Sequence, residues 1–174
     1  MRVSRKIVSE KGLPALNMRA LAKECGIALG TLYNYYSDKD ELVVAAIESV
    51  WQDILEKSAP DSGVRFSQYV MHIYARILSG LKDYPDFFAA HSISVAGSAK
   101  GKARGTMERC FGKIRGELHA ALREDKNVDR SIFSETFREE DLIEHILDTI
   151  TISIINGKPD CAVLTEILDR LLYR

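Results

Sequence analysis

The stretch from Asn17 to Leu42, NMRALAKECGIALGTLYNYYSDKDEL, constrains this chain more than any other. Its pattern predicts a helix, a tight turn, a second short helix and the capped start of a third. Leu21, Ala22, Cys25, Ile27, Leu32 and Tyr35 form its expected apolar side. Ala22 is small where two helices would cross closely. Gly26 falls where the first helix must end, a position that favours positive φ. Two helices joined in this way form a helix-turn-helix, whose second helix enters the DNA major groove. An ordinary helical hairpin in an all-α core would use the same alanine and the same glycine. The surface of the second helix separates the two readings. It offers Thr31, Tyr33, Asn34 and Tyr36 beside Lys39, all groups that reach bases or phosphates.

These residues resemble the DNA-binding domain of the TetR family of bacterial transcriptional regulators. The resemblance is carried by Gly12, Met18-Arg19-Ala20-Leu21-Ala22, Gly26-Ile27, Gly30-Thr31-Leu32-Tyr33, Tyr35-Tyr36 and Lys39-Asp40-Glu41-Leu42. It spans about the first 50 of 174 residues, and the remainder matches in length and helical character. The resemblance implies an all-α protein of about nine helices. Residues 1–50 would be a three-helix helix-turn-helix DNA-binding domain, and 51–174 a helical domain for effector binding and dimerisation. The expected DNA-contacting set is Arg19, Leu29, Gly30, Thr31, Tyr33, Asn34, Tyr36 and Lys39. Family members usually begin earlier, with a longer first helix and often a basic arm. Met1 falls inside that helix here, so contacts made by such an arm are not carried over.

Charge distribution agrees with a reader attached to something else. Residues 1–39 hold seven Lys and Arg against three acids, while the rest holds 17 against 22. A basic end on a mildly acidic body suits nucleic-acid binding at that end. With 46% hydrophobic and 28% charged residues, the composition is that of a soluble globular protein. No apolar run approaches the ~18 residues of a membrane span. Cys25, Cys110 and Cys161 are odd in number and far apart, which suits a reducing cytoplasm. No signal peptide is evident, and the expected location is cytoplasmic.

In chain order, the first helix is expected over 3–11, with Val3, Ile7 and Val8 inward and Gly12 as its stop. Asn17 caps the second helix, 18–25. The third, 29–36, has Ala28 where a serine cap is common in the family, so that its cap is weaker or Thr31 compensates; Tyr35 is expected in the core. Asp38 and Glu41 form a capping-box-like pair for the fourth helix, which reaches residue 56. Lys39 at its first position, with the free amides and dipole of the helix end, makes a phosphate site. Leu42, Val43, Ala46, Ile47, Val50, Trp51, Ile54 and Leu55 give this helix a stripe too wide for one partner. A break at 58–63 precedes helices expected over 64–82, 85–95 and, after a break at 97–101, 102–124. A polar loop over 125–134 leads to helices over 135–156 and 160–173. The piece Ile150 to Ile154 alternates like a strand, but the longer pattern has helical period.

The four histidines show no metal-ligand spacing, and no nucleotide-loop or nucleophile motif is present, so neither enzyme activity, metal nor cofactor is expected. The reading is a homodimeric regulator that binds a palindromic double-stranded DNA operator and is released by a small-molecule effector. Alternatives are an activator, a ligand-independent regulator, and a helical ligand-binding protein with no DNA function. Family resemblance implies that the last two helices pair across a two-fold axis, through Ile143, Ile146, Ile150, Ile154, Leu164 and Leu168. A mainly apolar effector pocket is expected among Tyr69, Ile73, Phe87, His91, Met107 and Phe111, since these stripes lack clustered charges. The effector is accordingly expected to be hydrophobic, and no membrane partner is expected.

Overall fold

The structure, a computed structural model, describes residues 1–56, 63–84, 87 and 100–173, the side chains of 100–107 and 110 excepted. Eight α-helices order the described residues: α1 (Arg2–Lys11), α2 (Met18–Cys25), α3 (Leu29–Tyr33), α4 (Lys39–Glu56), α5 (Phe66–Leu81), α6 (Lys100–Glu124), α7 (Glu139–Ile155) and α8 (Ala162–Leu172). Short 3-10 turns at Leu13–Ala15 and Arg130–Ile132 complete them. The helix expected over 85–95, apart from Phe87, and most of the breaks at 58–63 and 97–101 lie outside the described residues. None of the described helices is long and apolar enough to cross a membrane. The chain divides into two compact units, Met1–Lys57 with Ser79–Cys110, and Ser58–Leu78 with Phe111–Arg174.

The first unit is built on α4. Every residue of its wide predicted stripe, from Leu42 to Leu55, is buried. A helix that is apolar on more than one side must be covered on more than one side. α1 supplies Ile7 and Val8, with Ser4 rather than Val3 as its third buried residue. Trp51 meets Phe87 edge-on, ring centroids 6.2 Å apart. Gly80 lies so close to Ile54 that a Cβ would stand 2.7 Å from its Cγ2, so the backbone approach there requires glycine. α1 packs on the Leu13–Ala15 turn, on α2 and on α4, and α2 packs on α3.

The second unit starts with a tertiary cap. The Phe66 amide, first in α5, donates to Asp125 Oδ2 at 2.8 Å and also to the Tyr173 hydroxyl at 2.9 Å. Tyr173 in turn donates to Asp125 Oδ2 at 2.5 Å, and Asn127 gives the other oxygen its amide at 2.9 Å. Arg65 lies over the Tyr173 ring, and Ser67 donates to Asp169 at 2.6 Å. One buried carboxylate thus joins the start of α5, the end of α6 and the end of α8. α7 begins at Glu139, four residues later than periodicity suggests. Ser134 and Phe137 form a small antiparallel bridge there, with Phe133 stacked on Phe137. The strand-like Ile150 to Ile154 is helical, and Thr149 and Thr151 return their hydroxyls to the carbonyls four residues back.

Candidate nucleic-acid interface

The interface is assembled from local signals. Asn17 Oδ1 accepts from the Ala20 amide at 3.0 Å and so caps α2. Gly26 closes α2 in the left-handed region, φ 67°, with its amide bonded to Lys23 O while the Ile27 amide reaches back to Ala22 O. Those two bonds form a Schellman stop, which turns the chain sharply into α3. Arg19, in the first turn of α2, is exposed.

α3 is one turn and a half long, ending at Tyr33 rather than 36. Ala28 gives no side-chain cap and Thr31 does not replace one; the Thr31 amide simply bonds Ala28 O. Only Leu32 is buried on this helix. Gly30, Thr31, Tyr33 and Asn34 are exposed and Leu29 is half-buried. Three residues expected on the apolar side are not in the core. Tyr35 is 73% and Ile27 40% exposed, and Cys25 is exposed. The reason is the short helices: Cys25 closes α2 and Tyr35 follows the end of α3, so neither keeps the helical phase that points inward. Tyr36 is half-buried and donates to Met1 Sδ at 3.1 Å. Burial, then nearby Cys25 and Glu41, push its hydroxyl pKa up, so it stays protonated.

Lys39 opens α4 and is exposed. Asp38 Oδ1 caps the helix by accepting from the Glu41 amide at 2.8 Å. Glu41 reaches back to the amide and hydroxyl of Ser37, both at 2.7 Å, rather than to Asp38. The expected pair is therefore a three-residue cap. Arg19, Thr31, Tyr33, Asn34 and Lys39 have no side-chain hydrogen bond or ion pair to any described residue. Donors, acceptors and two cations are left available on one helix-turn-helix.

The other candidate sites fall differently. Ile143, Ile146, Ile150, Ile154, Leu164 and Leu168, expected between subunits, are all buried within their own chain. The exposed apolar residues of α7 and α8 are instead Ile152, Ile155, Val163, Ile167 and Leu171. Val163, Ile167 and Leu171 recur at i, i+4 and i+8, a signal present in the sequence but overshadowed by the larger inner stripe. A groove of about 350 Å³ runs beside them, lined by Leu142, Ile146, Leu164 and Leu168 among others.

Those of the expected effector residues that are described fall in both units. Phe87 is fully buried in the first unit, against Trp51 and Tyr84. Ile73 is fully buried, and Tyr69 and Phe111 half-buried, in the second. His91 and the Met107 side chain lie outside the described residues. These stripes are not free of charge either: Arg76 is 7% exposed and donates to Glu117 at 2.6 Å. No neighbour along the chain signals that burial, because Glu117 lies 41 residues away. Tyr69 and Glu117 line a separate cleft of about 430 Å³ with Ala120, Ala121 and Glu124. Burial, followed by the charge of Glu117, raises the Tyr69 pKa. Among the described residues, no group of histidine, cysteine and carboxylate side chains could hold a metal ion.

Comparison with known proteins agrees with this geometry. The family described as bacterial regulatory proteins, tetR family, matches residues 1–46, which hold the whole candidate interface. An uncharacterised HTH-type transcriptional regulator of Haemophilus influenzae is 33% identical over 91 residues, 45% of this chain and 49% of that protein. The HTH-type transcriptional regulator UidR of Escherichia coli K12 is 32% identical over 72 residues, 41% of this chain and 37% of its own length. The chain thus spans half or less of the length of these curated relatives. The fold match reaches further: a TetR-family transcriptional regulator of Vibrio parahaemolyticus superposes with a TM-score of 0.55 at 16% identity, over 99% of this chain and 96% of that one. Residues 1–46 thus match the helix-turn-helix of the bacterial regulatory proteins, tetR family, and the helical fold that follows is similar to that of a solved TetR-family structure.

Proposed function

We propose that this protein is a transcriptional regulator that binds a palindromic operator as a homodimer and represses until a small-molecule effector releases it. The observation that carries the reading is the unengaged set Arg19, Thr31, Tyr33, Asn34 and Lys39 around α3. Residues 1–50 serve as the reader and 51–174 as the effector-binding and dimerising part, with α4 running unbroken across that division. Dimerisation is supported by the exposed Val163, Ile167, Leu171, Ile152 and Ile155, apolar side chains that a second copy would cover. The cleft beside Tyr69 supports a small ligand, and its carboxylates favour an amphipathic one over a purely hydrocarbon one.

The test starts with selection of bound duplexes from a random pool, followed by titration at several salt concentrations. A two-fold dimer selects two inverted half-sites. Lys39→Ala should weaken all sequences alike and reduce the salt slope by about one unit per protomer. Thr31→Ala and Asn34→Ala should instead change which bases are preferred. Selection of no sequence at all would overturn the proposal. An unchanged salt slope in the lysine variant would remove Lys39 from the interface.

A further inference from the structure

α1 links the helix-turn-helix pair to α4, since it packs on both α2 and α4. Arg5 faces α4: its guanidinium lies 3.3 Å from Ser49 Oγ and 3.5 Å from Asp53 Oδ1. The other oxygen of that carboxylate, Oδ2, accepts from the Tyr84 hydroxyl at 2.7 Å. One turn along α1, Ser9 donates to the Asp83 carbonyl at 2.6 Å. Two consecutive residues after α5 therefore hold α1, one directly and one through the carboxylate against which Arg5 rests. All these groups belong to the same compact unit.

The Arg5–Asp53 pair is about a quarter exposed on both sides. An ion pair so hydrated adds little stability by itself. Tyr84 is different: it is 5% exposed, with its ring against Phe87. A phenylalanine would fill the same space without the hydroxyl. What the hydroxyl adds is orientation, because a carboxylate held at Oδ2 presents Oδ1 to α1 in one rotamer. Burial and the bond to Asp53 hold its pKa far above neutral, so the hydroxyl remains a donor.

We propose that Tyr84 and Asp53 are positioning residues of the DNA reader: the shared carboxylate sets the angle at which α1, and with it α2 and α3, sits on α4. The inference rests on the dimeric DNA-binding reading above. In a dimer, that angle determines which separation of two half-sites both recognition helices can meet. The experiment measures affinity for the selected operator and for duplexes whose half-sites are moved apart or together by one or two base pairs. It uses the parent chain, Tyr84→Phe and Asp53→Asn, with thermal unfolding of each. The expected result is that both variants lose about tenfold of the parent's preference for the selected spacing, while base preference within a half-site stays the same. An unchanged spacing profile overturns the proposal. So does a uniform loss across all duplexes that follows a loss of thermal stability. Failure of the parent to bind any duplex removes the DNA-binding reading itself, and this inference with it.

Discussion

At the scale of single residues, the candidate interface is composed mainly of side chains that the fold does not use. Gly30 shows this most sharply. It lies within α3 at an exposed position, and a Cβ built there meets nothing within 4 Å. Intramolecular packing therefore gives no reason for glycine, and alanine would favour the helix by ~1 kcal/mol. Gly30→Ala should fold as well as the parent or better, by thermal unfolding, and bind the operator less tightly, by fluorescence anisotropy. An alanine variant with full DNA affinity would show that no phosphate or base approaches that backbone. The residues that carry this argument could be named from sequence, because an N-cap at Asn17, a left-handed stop at Gly26 and a cap at Asp38 are local chemistry. Tyr35 could not be placed, since its position depends on α3 ending after Tyr33, and no side chain in the sequence announces that end.

At the scale of elements, α5, α6 and α8 are tied by one carboxylate. Asp125 is 6% exposed, and burial alone would raise its pKa. The hydrogen bonds from Tyr173, the Phe66 amide and Asn127 outweigh burial and hold it below the usual carboxylate range. A carboxyl with a depressed folded pKa stabilises the protein above its unfolded value of ~3.9, and that contribution is lost as pH falls through the folded value. Asp125→Asn should therefore lower stability by about 1–3 kcal/mol at neutral pH in urea unfolding. The difference from the parent should shrink progressively below pH ~4. A gap that stays constant into acid would mean that the charge on Asp125 is not what the three elements share. Nothing in the local sequence points to this cap, because donor and acceptor are 59 residues apart.

At the scale of the whole molecule, the candidate dimer surface is a thin outer stripe on helices whose main stripe faces inward. Val163→Glu with Ile167→Glu should yield a folded monomer by light scattering and circular dichroism, and should weaken operator binding. Leu168→Ala should act differently, destabilising each chain by about 2–5 kcal/mol because it empties space in the core. A double glutamate variant that stays dimeric would place the interface elsewhere. The sequence by itself determined the described helices, most of their ends and the helix-turn-helix, because caps, stops and period are set by neighbours along the chain. It also marked α4 as covered on more than one side. Only the tertiary structure decided that Arg76 is buried, that Asp125 caps α5, that Tyr84 orients Asp53, and that Val163 rather than Leu164 faces outward. Helical periodicity shows that a stripe will be covered. Which element covers it depends on contacts between residues far apart in the chain, and a one-dimensional pattern does not contain them.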